Sequence, residues 1–131
     1  MGYILNKDQW DIVNLAKDYA EKKVMPLVPE LDNAPELTPE TEEGKKLLEL
    51  YKGAVDLGLT ALEIPEEYGG LGQDYYTVAA AYEELSKVDA GFATAVTASS
   101  LGLKPILHHG NDKKKKLYAD FLNGEKTSEK A

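Results

Sequence analysis

Apolar residues recur at helical spacing along the chain, and no segment alternates apolar and polar positions long enough to predict a strand. The first such pattern begins after Asn6, which can cap a helix together with Gln9 three residues later. We expect Pro26 and Pro29 to end this helix and residues 29–43 to form a surface loop. Its predicted buried stripe is Ile12, Val13, Ala16, Tyr19 and Ala20.

Three further helices are bounded by residues that favour helix ends. The second ends before Gly58, since glycine adopts the left-handed conformation of a helix C-terminus without strain. The third begins after Asp74 and runs to about Lys87, and the fourth begins after Asp89 and runs to Leu101. The predicted buried positions are Leu47, Leu48, Tyr51, Ala54 and Val55 in the second helix and Val78, Ala79, Tyr82 and Leu85 in the third.

Two shorter predictions complete the chain. Pro105 is expected to open a separate turn of helix that Gly110 closes. Asn111 or Asp112 is expected to cap a last helix, which stops at Gly124. The pattern as a whole predicts an all-α, up-and-down type bundle of about five to six helices. The residues expected inside the last helix are Leu117, Tyr118, Phe121 and Leu122.

Composition and charge narrow the kinds of partner and site. The chain has 131 residues, no cysteine and a formal net charge of −8, so we expect neither a nucleic-acid partner nor a membrane partner. All 15 basic residues are lysines, which excludes an arginine-based phosphate site. The longest uncharged run, residues 90–103, is shorter than the roughly 20 apolar residues of a membrane span. With no signal-peptide pattern at the start, a cytoplasmic location is expected.

Several conspicuous motifs have simple structural explanations. Gly69, Gly70 and Gly72 lack the preceding strand and the following Gly-Lys-Ser/Thr of a phosphate loop, so we predict a tight interhelical turn. His108 and His109 are adjacent and diverge on a helix, so no metal site is expected. We interpret the remaining charge clusters as solvated surface: Lys113–Lys116, Glu66–Glu67 and Glu83–Glu84. A partner site for an anionic group stays open for the lysines, and pairing with lysines stays open for the glutamates.

The fourth helix carries the most informative pattern. Small or weakly polar side chains occur at positions i, i+3, i+4 and i+7 on one of its faces, which allows something to approach closely. Two interpretations stay open: a neighbouring helix, or one wall of a narrow, largely apolar ligand pocket. The residues of this face are Thr94, Thr97, Ala98 and Leu101, and those of the other face are Phe92, Val96 and Ser99.

Two long segments resemble one known family. They are IPEEYGGLGQDYYTVAAAYEELSKVDAG (residues 64–91) and SSLGLKPILHHGNDKKKKLYADFLNGEKTS (residues 99–128), joined more loosely by residues 26–32. Together they resemble the N-terminal helical domain of the flavin-dependent acyl-CoA dehydrogenases, over residues 1–128. The resemblance implies an enzyme of fatty acid metabolism with two more domains, a middle β-barrel and a C-terminal four-helix bundle.

The resemblance also implies a cofactor, a substrate and a role for the fourth helix. In this family FAD lies between the two later domains and a neighbouring subunit. A C-terminal carboxylate removes the α-proton of the acyl-CoA thioester while hydride passes to the flavin. The N-terminal domain supplies one wall of the acyl-chain pocket, and this chain is expected to hold no catalytic, cofactor-binding or metal-binding residue. The matching wall positions are Thr94, Thr97, Ala98 and Leu101.

The chain departs from the family pattern after Ser128. A relative would continue into a strand with a T-E-P and glycine-rich motif, whereas this chain reads Glu129-Lys130-Ala131, a divergent or artificial tail. We therefore expect an inactive isolated domain without bound FAD, from a truncated gene, a frameshift or deliberate excision. Two alternatives stay open: a module that self-associates or binds another chain through its exposed interdomain face, or one subunit of a split enzyme. Acyl-chain length, and dehydrogenase against related flavoenzyme activity, also stay open.

Overall fold

The computed structural model describes residues 4–122, and all regular secondary structure in this range is helical. The prediction of an all-α bundle is therefore confirmed for the described part of the chain. Its first helix, α1, packs most extensively against the fourth, and the fourth packs against the fifth. The α-helices are α1 (Lys7–Tyr19), α2 (Val28–Asp32), α3 (Glu42–Asp56), α4 (Tyr75–Val88), α5 (Ala90–His109) and α6 (Asp112–Leu122).

The start of α1 agrees with the prediction, but its end does not. Asn6 Oδ1 accepts from the Gln9 backbone N–H at 2.9 Å, and Gln9 Oε1 accepts from the Asn6 N–H at 2.9 Å. The prediction that Pro26 and Pro29 end the helix is wrong, because the chain continues through further helical turns into α2. Pro26 lies in the first turn of a 3₁₀ segment and Pro29 in the first turn of α2. Proline is tolerated in the first turn of a helix, because the N–H that it lacks has no carbonyl partner within that helix. These connecting turns are a π-helical turn, Ala20–Val24, and a 3₁₀ turn, Met25–Leu27.

The faces of α3 and α4 differ from the predictions at single positions. Leu48 is exposed instead of buried, because α3 directs Leu50 and Ala54, one turn apart, into the core. Gly58 follows α3 with φ +76°, as the helix-end prediction requires. In α4, Ala79 is exposed, and the next two alanines in the sequence are buried instead. A run of three alanines does not specify which one faces inward, so packing of α4 on α1 decides it.

The prediction of a break between Leu101 and Pro105 is wrong, because α5 is continuous through Pro105. Proline removes one hydrogen bond, to the carbonyl of Leu101, and that residue is 68% exposed on the outer side of the helix. Water can therefore serve this carbonyl, while burial of Leu103 on the inner side keeps the helix in place. The Gly110 N–H donates to the Ile106 carbonyl at 2.7 Å where the helix ends.

The orientation of α6 corrects a further prediction. Asn111 is its cap, since Asn111 Oδ1 accepts from the Lys114 N–H at 3.0 Å. Leu117, Tyr118 and Phe121, which were expected inside, are all exposed. Ala119 and Leu122 make the buried contact instead, because only one narrow side of α6 packs against the rest of the bundle. The predicted stop at Gly124 and the tail, residues 129–131, lie outside the described residues.

Two apolar clusters hold the bundle together. The larger one joins α1, α3, α4 and the first half of α5, and includes the predicted Val13 and Ala16 of α1 and Ala20 of the π-helical turn. The smaller one lies under α6 and contains Ala61, Ile64, Leu103, Ala119 and Leu122. The connector between α3 and α4 contributes to both clusters, so it joins the two parts of the core.

Candidate functional site

One face of α5 is left open by the rest of the described chain. Thr94, Ala98 and Leu101 are exposed, and Thr97 is half-buried beside them. On the other face of the helix, Phe92 and Val96 are in the core, and the Ser99 side chain lies outside what the structure describes. The four residues of the predicted wall therefore share a surface that no other helix between residues 4 and 122 covers.

The hydroxyl groups of this face are already bonded to the helix itself. Thr94 Oγ1 donates to the Ala90 carbonyl at 2.7 Å, and Thr97 Oγ1 donates to the Thr94 carbonyl at 3.1 Å. The buried Ser100, beside this face, likewise donates from Oγ to the Thr97 carbonyl at 2.8 Å. Because these donors are satisfied locally, the face offers small side chains with little need for polar partners. It is suited to contact with an apolar group.

A hollow of about 380 Å³ lies between this face and α4, and we call it the apolar hollow. Tyr82 lines it, and the Tyr82 hydroxyl donates to the Leu59 carbonyl at 3.1 Å. Burial raises the pKa of the Tyr82 hydroxyl, and the nearby charge of Glu63 raises it further, so it stays protonated at neutral pH. The apolar contributions to the lining come from Val78, Ala79, Tyr82 and Leu101.

An ion pair contributes to the lining of the apolar hollow. Lys104 Nζ lies 3.3 Å from Glu63 Oε1 and 5.4 Å from the centre of the Tyr75 ring. On the other side of this group is a second hollow of about 440 Å³, which we call the polar hollow. Its charged and hydrogen-bonding side chains include Glu67, Gln73, Asp74, His108 and Lys115, and the apolar Pro65 and Leu107 line it as well. Lys104 was not among the predicted site residues, although it stands three residues after Leu101 on the same helical stripe.

The glycine-rich segment forms the tight turn that was predicted. Gly69 and Gly72 have φ values of +85° and +59°, which favour glycine. Gly70 is packed so closely on Ile64 that a Cβ would overlap the Ile64 backbone. Tyr68, between them and the polar hollow, donates from its hydroxyl to Asp112 Oδ1 at 3.1 Å, which ties the turn to α6.

The remaining candidate motifs lie on the surface. His108 and His109 occupy the last turn of α5 and are exposed. Among the described residues, no group of three or more His, Asp or Glu side chains could hold a metal ion. Lys116 pairs with Asp120 at 3.0 Å, and Glu84 pairs with Lys87 at 2.7 Å. None of the helices described between residues 4 and 122 is long and apolar enough to cross a bilayer.

Comparison with protein families confirms the resemblance seen in the sequence. Residues 6–125 match the family model for the acyl-CoA dehydrogenase N-terminal domain. The probable acyl-CoA dehydrogenase YngJ of Bacillus subtilis (strain 168) is 30% identical over 119 residues, covering 90% of this chain and 29% of that protein. The short-chain specific acyl-CoA dehydrogenase of Megasphaera elsdenii is 35% identical over 131 residues, covering 96% of this chain and 32% of that protein.

Solved structures give the same fold. Butyryl-CoA dehydrogenase from Megasphaera elsdenii matches with a TM-score of 0.77 and 33% identity, over 96% of this chain and 32% of that one. A chain from work on the electron transferring flavoprotein of Acidaminococcus fermentans and flavin-based electron bifurcation matches with a TM-score of 0.79 and 34% identity. It is covered over 31% of its length, with 95% of this chain aligned. The chain thus spans about a third of these structures.

Proposed function

Because the chain belongs to the acyl-CoA dehydrogenase N-terminal domain family, we propose that it supplies one wall of the acyl-chain pocket in an FAD-dependent acyl-CoA dehydrogenase. The observation that carries this proposal is the open face of α5, formed by Thr94, Thr97, Ala98 and Leu101. The chain alone is then inactive, because the base and most of the pocket belong to parts that the relatives have in addition. We further propose a cytoplasmic location, which agrees with the absence of cysteine.

The size and chemistry of the apolar hollow support an acyl ligand. Its volume of about 380 Å³ is at the low end of the range for small-molecule sites, roughly 300–1,000 Å³. The threonine hydroxyls beside it donate to carbonyl groups within α5, so an alkyl chain placed there leaves no hydroxyl donor unpaired. A second wall is required to exclude water, and the exposed side of the apolar hollow leaves room for it.

The described residues do not by themselves fit FAD. This cofactor carries two phosphates, and proteins commonly hold phosphates with arginine forks or glycine-rich loops at helix N-termini. The chain has no arginine, and the lysines of the polar hollow are balanced by Glu63, Glu67 and Asp74. FAD therefore belongs to the parent enzyme in this proposal, and the purified chain should be colourless, without flavin absorbance near ~450 nm.

A chimeric enzyme tests the acyl-wall proposal directly. This chain would replace the aligned N-terminal segment of the Megasphaera elsdenii short-chain enzyme, and dehydrogenation of butyryl-CoA would be measured. We expect the chimera to be active. In it, Leu101→Trp should fill the apolar hollow and lower kcat/KM by at least about tenfold, while the FAD content is unchanged. The matched control is Leu48→Trp, which enlarges another exposed leucine on α3. Equal effects of the two substitutions would contradict the proposal.

An association module is the second candidate function. The observation that favours it is the outer side of α6, where Leu117, Tyr118 and Phe121 are all exposed. Sedimentation of the purified chain should then show oligomers at high concentration, and Phe121→Lys should dissociate them into monomers. A monomer throughout the micromolar to millimolar range would contradict this alternative. A split enzyme is distinguished by a separate reading frame, just downstream, that encodes the T-E-P strand.

A further inference from the structure

The outer side of α6 combines cations with large apolar side chains. Lys114, Leu117, Tyr118 and Phe121 follow one another at spacings of three, one and three residues, so they share one side of the helix. Lys113 stands one turn before Leu117, and all five side chains are exposed. We call these five residues the α6 stripe. It presents two ammonium groups at one end and apolar side chains along the rest.

The lysines of the α6 stripe are not explained by the fold of a single copy. Lys113 and Lys114 occupy the first turn of α6, where the partial positive charge of the helix N-terminus disfavours cations. No carboxylate within residues 4–122 forms an ion pair with either of them. A partner that brings carboxylates to this end of α6 would relieve the unfavourable charge.

A surface of complementary character lies between α2 and α3. Residues 30–43 contain six carboxylates and no lysine. Two of the carboxylates pair with lysines of α3, whereas Glu36 and Glu40 are exposed and form no ion pair in the described part of the chain. Leu37 stands between these two glutamates and is 46% exposed. We call residues 36–40 the acidic loop, and its leucine and carboxylates match the apolar groups and ammonium groups of the α6 stripe.

Hydrogen bonds and prolines hold the acidic loop in a defined shape. Thr41 Oγ1 accepts from the Thr38 N–H at 3.2 Å and from the Gly44 N–H at 3.1 Å, which ties the loop to the start of α3. Pro35 and Pro39 restrict the backbone on both sides of the exposed leucine. A loop that is already ordered loses little conformational entropy on binding, so it is suited to docking.

The α6 stripe and the acidic loop lie toward opposite ends of α3. The acidic loop comes directly before α3, whose 15 residues span about 22 Å. Both ends of α6 are bonded to the connector that follows α3. Tyr68 donates to Asp112 at 3.1 Å, and Thr60 donates to the Leu122 carbonyl at 3.0 Å. A contact between the two surfaces therefore joins two copies of the chain.

We infer that the α6 stripe is the docking surface for the acidic loop of a second copy of this chain. Leu37 lies against its apolar side chains, and Glu36 and Glu40 face its lysines. A two-fold arrangement makes this contact twice, because each copy carries both surfaces. The net charge of −8 repels the copies at long range, but physiological salt screens that repulsion beyond about 8 Å, so local pairing decides. The inference rests on the association module proposed above, to which it adds the partner, and it is independent of the acyl wall.

Charge reversal on the α6 stripe tests this contact by sedimentation equilibrium of the purified chain at about 0.15 M NaCl. Lys113→Glu/Lys114→Glu should raise the dissociation constant of the dimer at least about tenfold, because like charges then face each other. Glutamate suits the first turn of a helix, so α6 is retained. The matched control is Lys17→Glu/Lys52→Glu, which changes the net charge equally at exposed lysines of α1 and α3 and should leave the constant within about twofold.

The partner surface is tested by exchanging the signs of both sides. Glu36→Lys/Glu40→Lys should weaken the dimer as strongly as the reversal on α6. An equimolar mixture of the two reversed variants should associate again, because the attraction returns with its signs exchanged. Raising NaCl to about 0.5 M should weaken the dimer of the unchanged chain, whereas a purely apolar contact would not weaken.

The outcomes separate this inference from the association module. Oligomers that resist both reversals and dissociate in Phe121→Lys would keep the association module and overturn the acidic loop as its partner. A reversal on α6 that weakens association, combined with no effect of the reversal in the loop, would overturn it as well. A monomer throughout the micromolar to millimolar range would overturn both and leave the acyl wall standing. Renewed association in the mixture alone supports the paired surfaces.

Discussion

Gly53 of α3 lies directly against the hydroxyl of Tyr19 in α1, so closely that a Cβ at position 53 would overlap that oxygen. The same hydroxyl donates to the Leu50 carbonyl at 2.6 Å, within α3. Burial raises the pKa of Tyr19, and the charge of Asp56 raises it further. The absence of a side chain at position 53 therefore lets a tyrosine bond the backbone of the neighbouring helix.

Gly53→Ala is expected to destabilise the fold, although alanine is the better helix former. Overpacking against Tyr19 should cost about 1–3 kcal/mol in the free energy of unfolding, measured by urea denaturation. The matched control is Gly102→Ala in α5, where an added Cβ meets nothing within 4 Å. That change should stabilise by about 0.5–1 kcal/mol. A gain of stability in both variants would contradict the close contact between Gly53 and Tyr19.

Helix starts could be predicted from the sequence, because each depends on one side chain and an N–H three residues later. Asn6, Asp74 and Asp89 all cap as predicted, and the last accepts from the Phe92 N–H at 2.6 Å. Helix ends at prolines could not, because proline only removes one hydrogen bond and forbids nothing beyond it. At Pro105, burial on the inner side of α5 outweighs that loss, and tertiary packing is not visible in a local pattern.

Thr60 fixes the end of the described chain to the connector. Its hydroxyl is buried and donates to the Leu122 carbonyl at 3.0 Å, at the last described residue of α6. Thr60→Val keeps the shape and leaves that carbonyl without its donor, so we expect a loss of about 1–3 kcal/mol in unfolding free energy. Amide exchange in α6 should accelerate more than in α1. Ser86→Ala, which removes an exposed hydroxyl bonded within its own helix, is the control and should be close to neutral.

The stabilisation that Asp74 gives to the start of α4 depends on pH. The Thr77 backbone N–H, then the Thr77 hydroxyl, hold the pKa of the Asp74 carboxyl below its ordinary value, and Gln9 adds a smaller effect. A folded-state pKa below the unfolded one means stabilisation that is present above the ordinary value of about 3.9 and is lost as pH falls through the folded value. The loss of stability on acidification should therefore be shallower in Asp74→Asn than in the unchanged chain.

The cause of this shift can be tested by carboxyl NMR titration of Asp74. Thr77→Ser keeps both hydrogen bonds and should leave the pKa of Asp74 low, while Thr77→Val removes the hydroxyl and should raise it. Gln9→Met removes a longer bond of 3.3 Å and should raise it less. A larger effect from Gln9→Met would show that the contact between α1 and α4, and not the helix cap, controls Asp74.

The candidate site was predictable in part. Helical spacing placed Thr94, Thr97, Ala98 and Leu101 on one face, because four positions within two turns depend on local geometry alone. The Lys104 pair was not predictable, since its partner Glu63 is 41 positions away in sequence and reaches α5 only through the fold of the connector. In α6 the apolar positions span more than half of the circumference, so the pattern could not specify which side is buried.

Two leucines on α5 separate the open face from the core. Leu103 is 1% exposed and Leu101 is 68% exposed, although they stand two residues apart. Leu103→Ala should therefore cost about 2–5 kcal/mol in the free energy of unfolding, because it removes buried volume and leaves a cavity. Leu101→Ala should change it by no more than about 0.5 kcal/mol, because its side chain contacts solvent in the isolated chain. Both are measured by urea denaturation under one condition. A large loss of unfolding free energy in Leu101→Ala would mean that the face is covered in solution, by a second copy or by another part of the chain. That outcome would contradict an open acyl wall, whereas a small loss leaves Leu101 available for the ligand.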